Sequence, residues 1–332
     1  MAGQRVTVDS GLFQTAISTA ARNTYETTIR QLGALGGLFS TDAVNSRTVE
    51  LGYYHSAPMP VLQRRGDPIR EAGFASTSYE GTVLRYGIEI AWDIDDASDD
   101  QLGGLETRAN DAAKRFALLD LKAAELYLRG ATDPDVIPAL TLCPDGVALF
   151  SATDGTGAAR FTVTGGNIVN GTGYATHDDI EADLYSAQIR FASMLDTEGE
   201  QLHVDSLDSG GYTILYPVAH RRVFEKAFKQ SLPIADQGTV NEATSNIIIE
   251  NGVKYILRAL SPDVTGNSWW ILANGCTVKP LTILNRGAMT TVPFDERTDG
   301  EARRNNRAGV AFKLRRGWVP NLPYGAIKVY NA

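Results

Sequence analysis

Residues 82–94, TVLRYGIEIAWDI, decide the fold, because their side chains alternate in type with a period of two. From Leu84 to Ile94 every second residue is large and apolar, and the residues between them are charged or small. This period places the apolar side chains on one face of an extended strand and the others on the opposite face. We therefore predict a long, half-buried strand over this stretch.

The period changes directly after this strand. Between residues 97 and 130 apolar residues recur every three or four positions, which is the spacing of a helix packed along one seam. Ser98 is a suitable N-terminal cap, and Gly130 follows the last turn. At 1.5 Å per residue the helix would span roughly 50 Å, which is long for a globular domain. A coiled coil is the alternative, although the alanines along the seam also suit packing on a sheet.

The rest of the chain mixes helices and strands without a simple alternation. Three more helices are expected, one of them opened by a capping box from Thr176 to Asp179. They span residues 9–39, 176–195 and 218–231. Strands are expected at residues 212–216, 268–274, 277–286, 309–320 and 325–330. This mixture predicts the α+β class.

Four other segments have no helical period. We predict an extended arm at 40–62, a short hairpin or strand at 145–152, and a polar loop at 295–309. In residues 246–260 the dipeptide Asn251-Gly252 indicates a β-hairpin, and strand 268–274 could pair with it.

Composition restricts the classes of protein that fit. The chain has 332 residues, of which 43% are hydrophobic and 21% charged, so one large or two moderate globular domains are expected. The net charge of -8 argues against a general affinity for nucleic acid or anionic membranes. A signal peptide and an apolar run of membrane-spanning length are both absent, and the two cysteines are expected to be buried thiols of a reduced protein.

The sequence contains no recognisable catalytic or metal-binding motif. None of the four histidines lies in a zinc spacing, and there is no GxSxG nucleophile motif. The glycine-rich stretch 164–173 lacks the Lys-Ser/Thr of a phosphate loop. The acids of 93–100 could hold a metal, but acids are also favoured where a helix begins. We therefore predict no enzyme activity, no cofactor and no metal.

Two charged stretches remain to be explained. Residues 64–71, RRGDPIRE, contain a turn and the tripeptide RGD, but the following proline and the missing secretion signal weaken a receptor-ligand interpretation. In 295–309 and at the nearby Arg315 and Arg316, basic residues could contact phosphates, yet interleaved acids favour salt bridges, including salt bridges between chains. The candidate intersubunit contacts are Arg64, Arg65, Asp67, Arg70, Glu71, Arg303, Arg304 and Arg307.

Three stretches, in this order, resemble a known family: 84-LRYGIEIAWDIDDASDD-100, 145-DGVALFSA-152 and 212-YTILYPVAHRRVFEKAF-228. Together with the order of the predicted elements, they are similar to the tailed-phage major capsid protein with the Hong Kong 97 fold, most closely the Mu-like major head subunit family. The resemblance covers the chain from about residue 50 to its end.

The resemblance implies a division of the chain into parts. It implies an N-terminal arm with a helix at 1–50 and an extended loop at 51–82 that reaches over a neighbouring subunit. A peripheral domain would occupy 83–177 and contain the spine helix 97–129. An axial domain would occupy 178–275, and 276–332 would return to the peripheral domain.

The resemblance also implies a function. Such subunits self-assemble into hexamers and pentamers of an icosahedral shell that encloses double-stranded DNA, in a virion capsid assembled in the bacterial cytoplasm. A portal, a separate scaffold or protease, and a decoration protein are the expected further partners, with weak non-specific contact to the enclosed DNA and none to a membrane. Residues 51–82 contain no lysine, so the lysine–asparagine crosslink of some members is not expected. The alternatives are the shell of a cellular, encapsulin-like nanocompartment and, from another class, a soluble α+β hydrolase.

Overall fold

The computed structural model describes residues 18–28, 37–54, 76–93, 103–196, 199–201, 211–229, 253–262, 264, 266–276, 278–294, 300, 302 and 307–331. Within these ranges the helices are α1 (residues 18–28), α2 (Gly103–Arg129), α3 (His177–Ser193) and α4 (Arg221–Lys229), with 3-10 turns at Arg160–Thr162 and Val218–His220. The strands are β1 (Phe39–Ala43), β2 (Thr48–Tyr54), β3 (Ser76–Thr82), β4 (Leu84–Asp93), β5 (Ile168–Asn170), β6 (Tyr212–Pro217), β7 (Tyr255–Leu260), β8 (Ser268–Ala273), β9 (Leu281–Asn285), β10 (Thr290–Phe294), β11 (Arg307–Pro320) and β12 (Ala326–Tyr330). The α+β prediction is confirmed.

The first sheet is organised around the long strand β11. Along one edge β11 pairs antiparallel with β4 over ten residues, from Arg307 opposite Asp93 to Arg316 opposite Leu84. Along its other edge it pairs with β10 and then with β9, and β1 extends the sheet parallel to β9. The strand predicted at 82–94 is thus confirmed as β4.

The long helix α2 packs its apolar stripe on this sheet and on α1. Ala109, Ala112 and Phe116 are buried in one cluster with Phe312 of β11 and Ala21 of α1. The C-terminal half of α2 enters a second cluster that also contains side chains of β6, β8 and β9. The coiled-coil alternative is therefore wrong, because the seam is covered by the helix's own chain. The predicted cap Ser98 lies outside the described residues.

A buried polar contact joins α2 to β11. Asp120 lies among the apolar residues of the α2 stripe and accepts hydrogen bonds from Arg316 Nη1 and, at 2.9 Å, from Trp318 Nε1. A phosphate contact of Arg316, the less favoured of the two interpretations of the basic residues, does not apply, because the side chain is buried in this ion pair. Arg315, the preceding residue of β11, is exposed.

The second sheet has the order β5-β12-β8-β6-β7 and is buried on both faces. The adjacent tryptophans of β8 lie on opposite faces of this sheet. Trp269 packs in the cluster of α3 and α4, and Trp270 packs in the cluster of α2. The capping box of α3 is confirmed, since the Thr176 hydroxyl accepts from the Asp179 amide and the Asp179 carboxylate accepts from the Thr176 amide.

Several sequence-based expectations need correction. Residues 145–152 form no strand, because their carbonyls face a buried arginine rather than a neighbouring strand. Strand β8 pairs with β6 and β12 and not with β7, which instead lies parallel to β6. The expected helix 9–39 ends before Phe39, where β1 begins, and the expected loop 295–309 overlaps the start of β11. The arm at 40–62 contains most of β1 and all of β2. The Asn251-Gly252 turn lies outside the described residues.

The structure does not test the predicted segments as separate domains, but its sheets contain strands from more than one segment. Strands β5 and β12, which fall in the segments 83–177 and 276–332, complete the sheet formed by β6, β7 and β8. The last strand therefore belongs with the 178–275 segment by hydrogen bonding. Among the described residues, no helix has the length and apolar character needed to cross a bilayer.

Candidate assembly surfaces

Of the eight residues predicted to make intersubunit contacts, only Arg307 falls in the part of the chain that the structure describes. It opens β11, is exposed, and lies opposite Asp93 of β4. Arg64, Arg65, Asp67, Arg70 and Glu71 belong to residues 55–75, and Arg303 and Arg304 to residues 303–306, all outside the described ranges. Their role as contacts therefore stays a prediction.

The strands on either side of residues 55–75 form a two-stranded hairpin. Strands β2 and β3 pair antiparallel in unbroken register, from Thr48 opposite Thr82 to Tyr54 opposite Ser76. This pair is a sheet of its own and hydrogen-bonds to neither larger sheet within the described residues. A two-stranded ribbon is marginally stable alone, so its base must be held by side-chain contacts.

Tyrosines hold this hairpin to the body of the protein. Tyr79 of β3 donates a hydrogen bond of 2.6 Å to Asn321 Oδ1, and the Tyr53 and Tyr324 hydroxyls are hydrogen-bonded to each other. Burial raises the pKa of Tyr79 to about 12, so its hydroxyl remains a donor at neutral pH. The ring of Tyr324 also packs on Phe161, with centroids 5.1 Å apart.

Apolar contacts complete the attachment. Val83, Leu284 and Val319 are buried, and Val49 and Leu51 of β2 pack against them. Gly81 of β3 lies so close to Leu284 and Val319 that a Cβ atom there would be 2.7 Å from each. The hairpin is therefore closely packed on β9 and β11.

A buried arginine organises the irregular segment beside this hairpin. Arg160 is 1% exposed and makes two hydrogen bonds to the Asp145 carboxylate, at 2.7 Å from Nε and 3.0 Å from Nη2. Its Nη1 donates to the carbonyls of Ala148 and Leu149 at 3.1 and 2.9 Å. Arg160 and Asn167, which accepts from the Ser151 amide and donates to the Leu149 carbonyl, thus supply hydrogen bonds in place of the strand pairing that residues 145–152 lack.

The two residues after Arg160 have left-handed backbone conformations. Phe161 has φ 58° and Thr162 has φ 57°, a region that few non-glycine residues adopt and that costs roughly 1–3 kcal/mol each. The Phe161 ring lies against Tyr324, and the Arg160 side chain is fixed by its ion pair, so the surrounding contacts hold this turn in place.

A cleft of about 320 Å³ lies between the hairpin base and this segment, and Tyr53, Asp145, Asp154 and Asp196 are among its lining residues. Its carboxylates already serve as acceptors: Asp145 binds Arg160, Asp154 accepts from Thr156, and Asp196 accepts from the Glu200 amide. Hydrogen bonds from Thr156 lower the pKa of Asp154. The lining residues contain no histidine, cysteine or lysine to act as a catalytic partner.

The described histidines are also bound in ways that do not indicate catalysis. His177 Nε2 lies 3.1 Å from the exposed Asp178 carboxylate, and His220 stacks on Tyr174 at 4.0 Å. Burial lowers the pKa of His220. Cys143 is buried in an apolar cluster that raises its pKa to about 11, so its thiol is a poor nucleophile. Within the described ranges no three His, Cys, Asp or Glu side chains meet in a way that could hold a metal ion.

Comparison with solved structures gives the same architecture over nearly the whole chain. A chain of the mature capsid of bacteriophage PhiM1 matches with a TM-score of 0.52 at 13% identity, covering 89% of this chain and 86% of that one. The capsid of the cyanophage P-SCSP1u gives 0.53 at 10% identity, covering 90% and 88%. The capsid of an empty GTA particle gives 0.53 at 10% identity, covering 90% of both chains.

The fold is that of Hong Kong 97-type capsid proteins. No family model matches the sequence, and no curated protein matches it. The fold prediction from sequence is therefore confirmed by structure. In this chain the fold contains the long helix α2, the long strand pair β4–β11 and the separate hairpin β2–β3.

Sequence reasoning missed the two buried ion pairs that hold this fold together. A signal for one was available, because Asp120 falls four residues after Phe116 on the apolar stripe of α2, where a charge needs a partner. Arg160 gave no such signal, since it lies in an irregular segment without periodicity.

Proposed function

We propose that this chain is a major capsid protein that self-assembles into the hexamers and pentamers of an icosahedral phage head. The observation that carries the proposal is the extent of the structural likeness, which spans about nine tenths of both chains in several capsids. A domain shared by chance with a larger protein of another function would leave much of one chain unmatched.

Two features of the described residues, the separate hairpin β2–β3 and the cleft beside it, support the proposal. The hairpin β2–β3 forms a sheet of its own, and the proposal assigns the residues between its strands, 55–75, to contact with a neighbouring molecule. Subunits of a closed shell must contact neighbours on several sides, and protruding segments provide that area. Among the residues that the structure describes, the cleft and the two histidines offer no pairing of nucleophile and base, and this is compatible with the proposed structural role.

Several finer features belong to the same proposal. They are membership of the Mu-like subfamily, enclosed double-stranded DNA, assembly in the bacterial cytoplasm, and partners that include a portal, a separate scaffold or protease, and a decoration protein. The proposed division assigns 1–50 to the arm, 51–82 to the extended loop, 83–177 to the peripheral domain, 178–275 to the axial domain and 276–332 to the return segment. Strand β12 of the return segment joins the axial sheet.

The charged turn at 64–71 provides a specific test of the extended loop. Reversing Arg64, Arg65 and Arg70 together should leave the subunit folded, because this stretch has no apolar core pattern, and should reduce assembly into capsomers or shells. Circular dichroism reports folding, and sedimentation velocity reports assembly. Normal shells from the triple variant would contradict the role assigned to the loop.

The proposed function itself is tested by electron microscopy and nucleic-acid content. Purified protein should form capsomers or closed shells, and particles from infected cells should contain nuclease-protected double-stranded DNA. Particles that enclose a protein cargo instead would favour the nanocompartment alternative. A protein that remains monomeric or dimeric at high concentration under every assembly condition would refute the proposal.

A further inference from the structure

Strand β4 lies at an edge of the first sheet. Within the described residues it pairs with β11 and with no other strand, so the second edge of this ten-residue strand has no neighbouring strand. Trp92 and Asp93 at its end have further interactions, but the backbone of residues 84–91 forms no hydrogen bond in the described part of the chain apart from those to β11. The unpaired amide and carbonyl groups of a long strand edge are a template for one more strand.

The outer face of β4 carries two opposite charges. Arg85 and Glu89 are both exposed, and a separation of four residues places them on the same face of the strand. Among the described residues neither side chain belongs to an ion pair. Across the sheet, Arg85 lies opposite Arg315, and Glu89 lies opposite Ala311 and diagonal to Lys313. The side of Arg85 that faces away from β11 is therefore open to a carboxylate.

The inner face of β4 contains an uncovered apolar side chain. Tyr86 and Ile90 pack against the cluster formed by α2 and β11. Ile88 lies between them on the same face and is 42% exposed. An exposed isoleucine between two packed neighbours indicates that one side of the strand edge is not covered within the subunit. A strand added at this edge would cover it.

Charge selects how a second copy of β4 could pair with the first. In an antiparallel pair, opposite residues point to the same face, so exposed residues must lie opposite exposed residues. Centring the pair on Gly87 places Arg85 of each copy opposite Glu89 of the other. Centring it on Glu89 places two carboxylates opposite each other, and centring it on Tyr86 or Ile88 leaves both charges opposite uncharged residues.

The packing also suits a pair centred on Gly87. A Cβ atom added at Gly87 would have the Phe312 carbonyl oxygen as its nearest contact outside the adjacent residues, at 3.6 Å, so nothing crowds the centre. Tyr86 of one copy would lie opposite the exposed Ile88 of the other and cover it. Residues 84–90 of the two copies would form roughly six to eight backbone hydrogen bonds.

We propose that residues 84–90 of β4 pair antiparallel with the same residues of a second copy of the chain, about a two-fold axis at Gly87. Such a contact is isologous and joins two copies. Rings of five or six copies close through heterologous contacts, so the β4 pair would join subunits of adjacent rings. This inference rests on the proposed function, because it assigns one of the contacts between the capsomers of the shell.

A disulfide across the axis tests the register. Opposite Cβ atoms in an antiparallel pair are about 4.5–5.5 Å apart, close to the separation that a disulfide bridges. Gly87→Cys should therefore form a disulfide-linked dimer when assembled particles are oxidised, seen on a non-reducing gel and assigned by mass spectrometry. The control is Ala91→Cys, at an exposed site on the same strand. The two copies of residue 91 would be roughly 27 Å apart and should not be linked.

A charge exchange tests the contact without a new bond. Arg85→Glu should raise the protein concentration at which shells form by roughly tenfold or more, because it places carboxylates opposite each other at both ends of the pair. Glu89→Arg should do the same, and the chain that carries both substitutions should form shells normally. Arg85→Glu places a carboxylate opposite Arg315, which favours the fold of the subunit. Arg108→Glu, at an exposed site on α2, is the control and should leave shell formation unchanged.

The outcomes separate this inference from the proposed function. Shells whose Gly87→Cys subunits remain unlinked, together with normal shell formation by Arg85→Glu, would reject the β4 pair and leave the proposed function standing. Dimers linked at residue 87 without rings or shells would support the pair and contradict the proposed function. Linkage through Ala91→Cys, or linkage of residue 87 to a different protein, would overturn the pairing in favour of another register or another strand.

Discussion

Replacing Arg160 by methionine should destabilise the folded subunit more than any exposed substitution, by about 3–5 kcal/mol. The guanidinium is 1% exposed, and its removal leaves the Asp145 carboxylate without its ion-pair partner. The Ala148 carbonyl also loses a hydrogen bond, worth about 0.5–1.5 kcal/mol, whereas the Leu149 carbonyl keeps the one from Asn167 Nδ2 at 2.9 Å. These costs overlap rather than add, because residues 145–152 would rearrange once their common anchor is gone.

The free energy of unfolding of the unassembled subunit, measured by urea denaturation, is the appropriate quantity. Arg108→Met, at an exposed site on α2, is the control and should change it by less than about 0.5 kcal/mol. The double variant Arg160→Met, Asp145→Leu should lose less than the sum of the two single changes, because it leaves no unpaired carboxylate. A loss below about 1 kcal/mol for Arg160→Met alone would refute the reasoning that this side chain organises the segment.

Three further predictions concern individual contacts. Asp120→Asn should lower the free energy of unfolding in urea by about 3–5 kcal/mol, since it leaves buried Arg316 unpaired. Asp111→Asn, in an exposed ion pair, is the control and should lower it by under about 1 kcal/mol. Equal losses from the two variants would contradict the argument from burial. Thr176→Ala removes the cap of α3 and should cost about 1 kcal/mol, and no change in unfolding would mean that the capping box contributes nothing. Cys143 should not react with a thiol reagent at pH 8 until the chain unfolds, because burial raises its pKa to about 11; rapid labelling of the folded protein at this residue would disprove that placement.

The parts of the fold that could be predicted from the sequence are those in which apolar residues recur at a regular spacing. The strand 84–93 and the helix 103–129 differ so clearly in spacing that their types could be assigned without tertiary information. The capping box at Thr176 is a local pattern of four residues and was equally accessible. Each of these elements identifies itself within a short window of residues.

Long-range features were harder to predict for physical reasons. Strand β8 could have paired with any apolar neighbour, and only the burial of both its faces, between α2 and the pair α3–α4, fixes its place beside β6 and β12. Residues 145–152 have an apolar pattern that suits a strand, but a side chain fifteen residues from Asp145 takes the place of a neighbouring strand.

The most direct test of the central claim is cryo-electron microscopy of the purified full-length chain under assembly conditions. Self-assembly through this fold predicts rings of five and six copies or closed icosahedral shells, in which the β2–β3 hairpin of each subunit reaches an adjacent subunit. Particles without such rings, or only separate subunits at every protein and salt concentration examined, would contradict it.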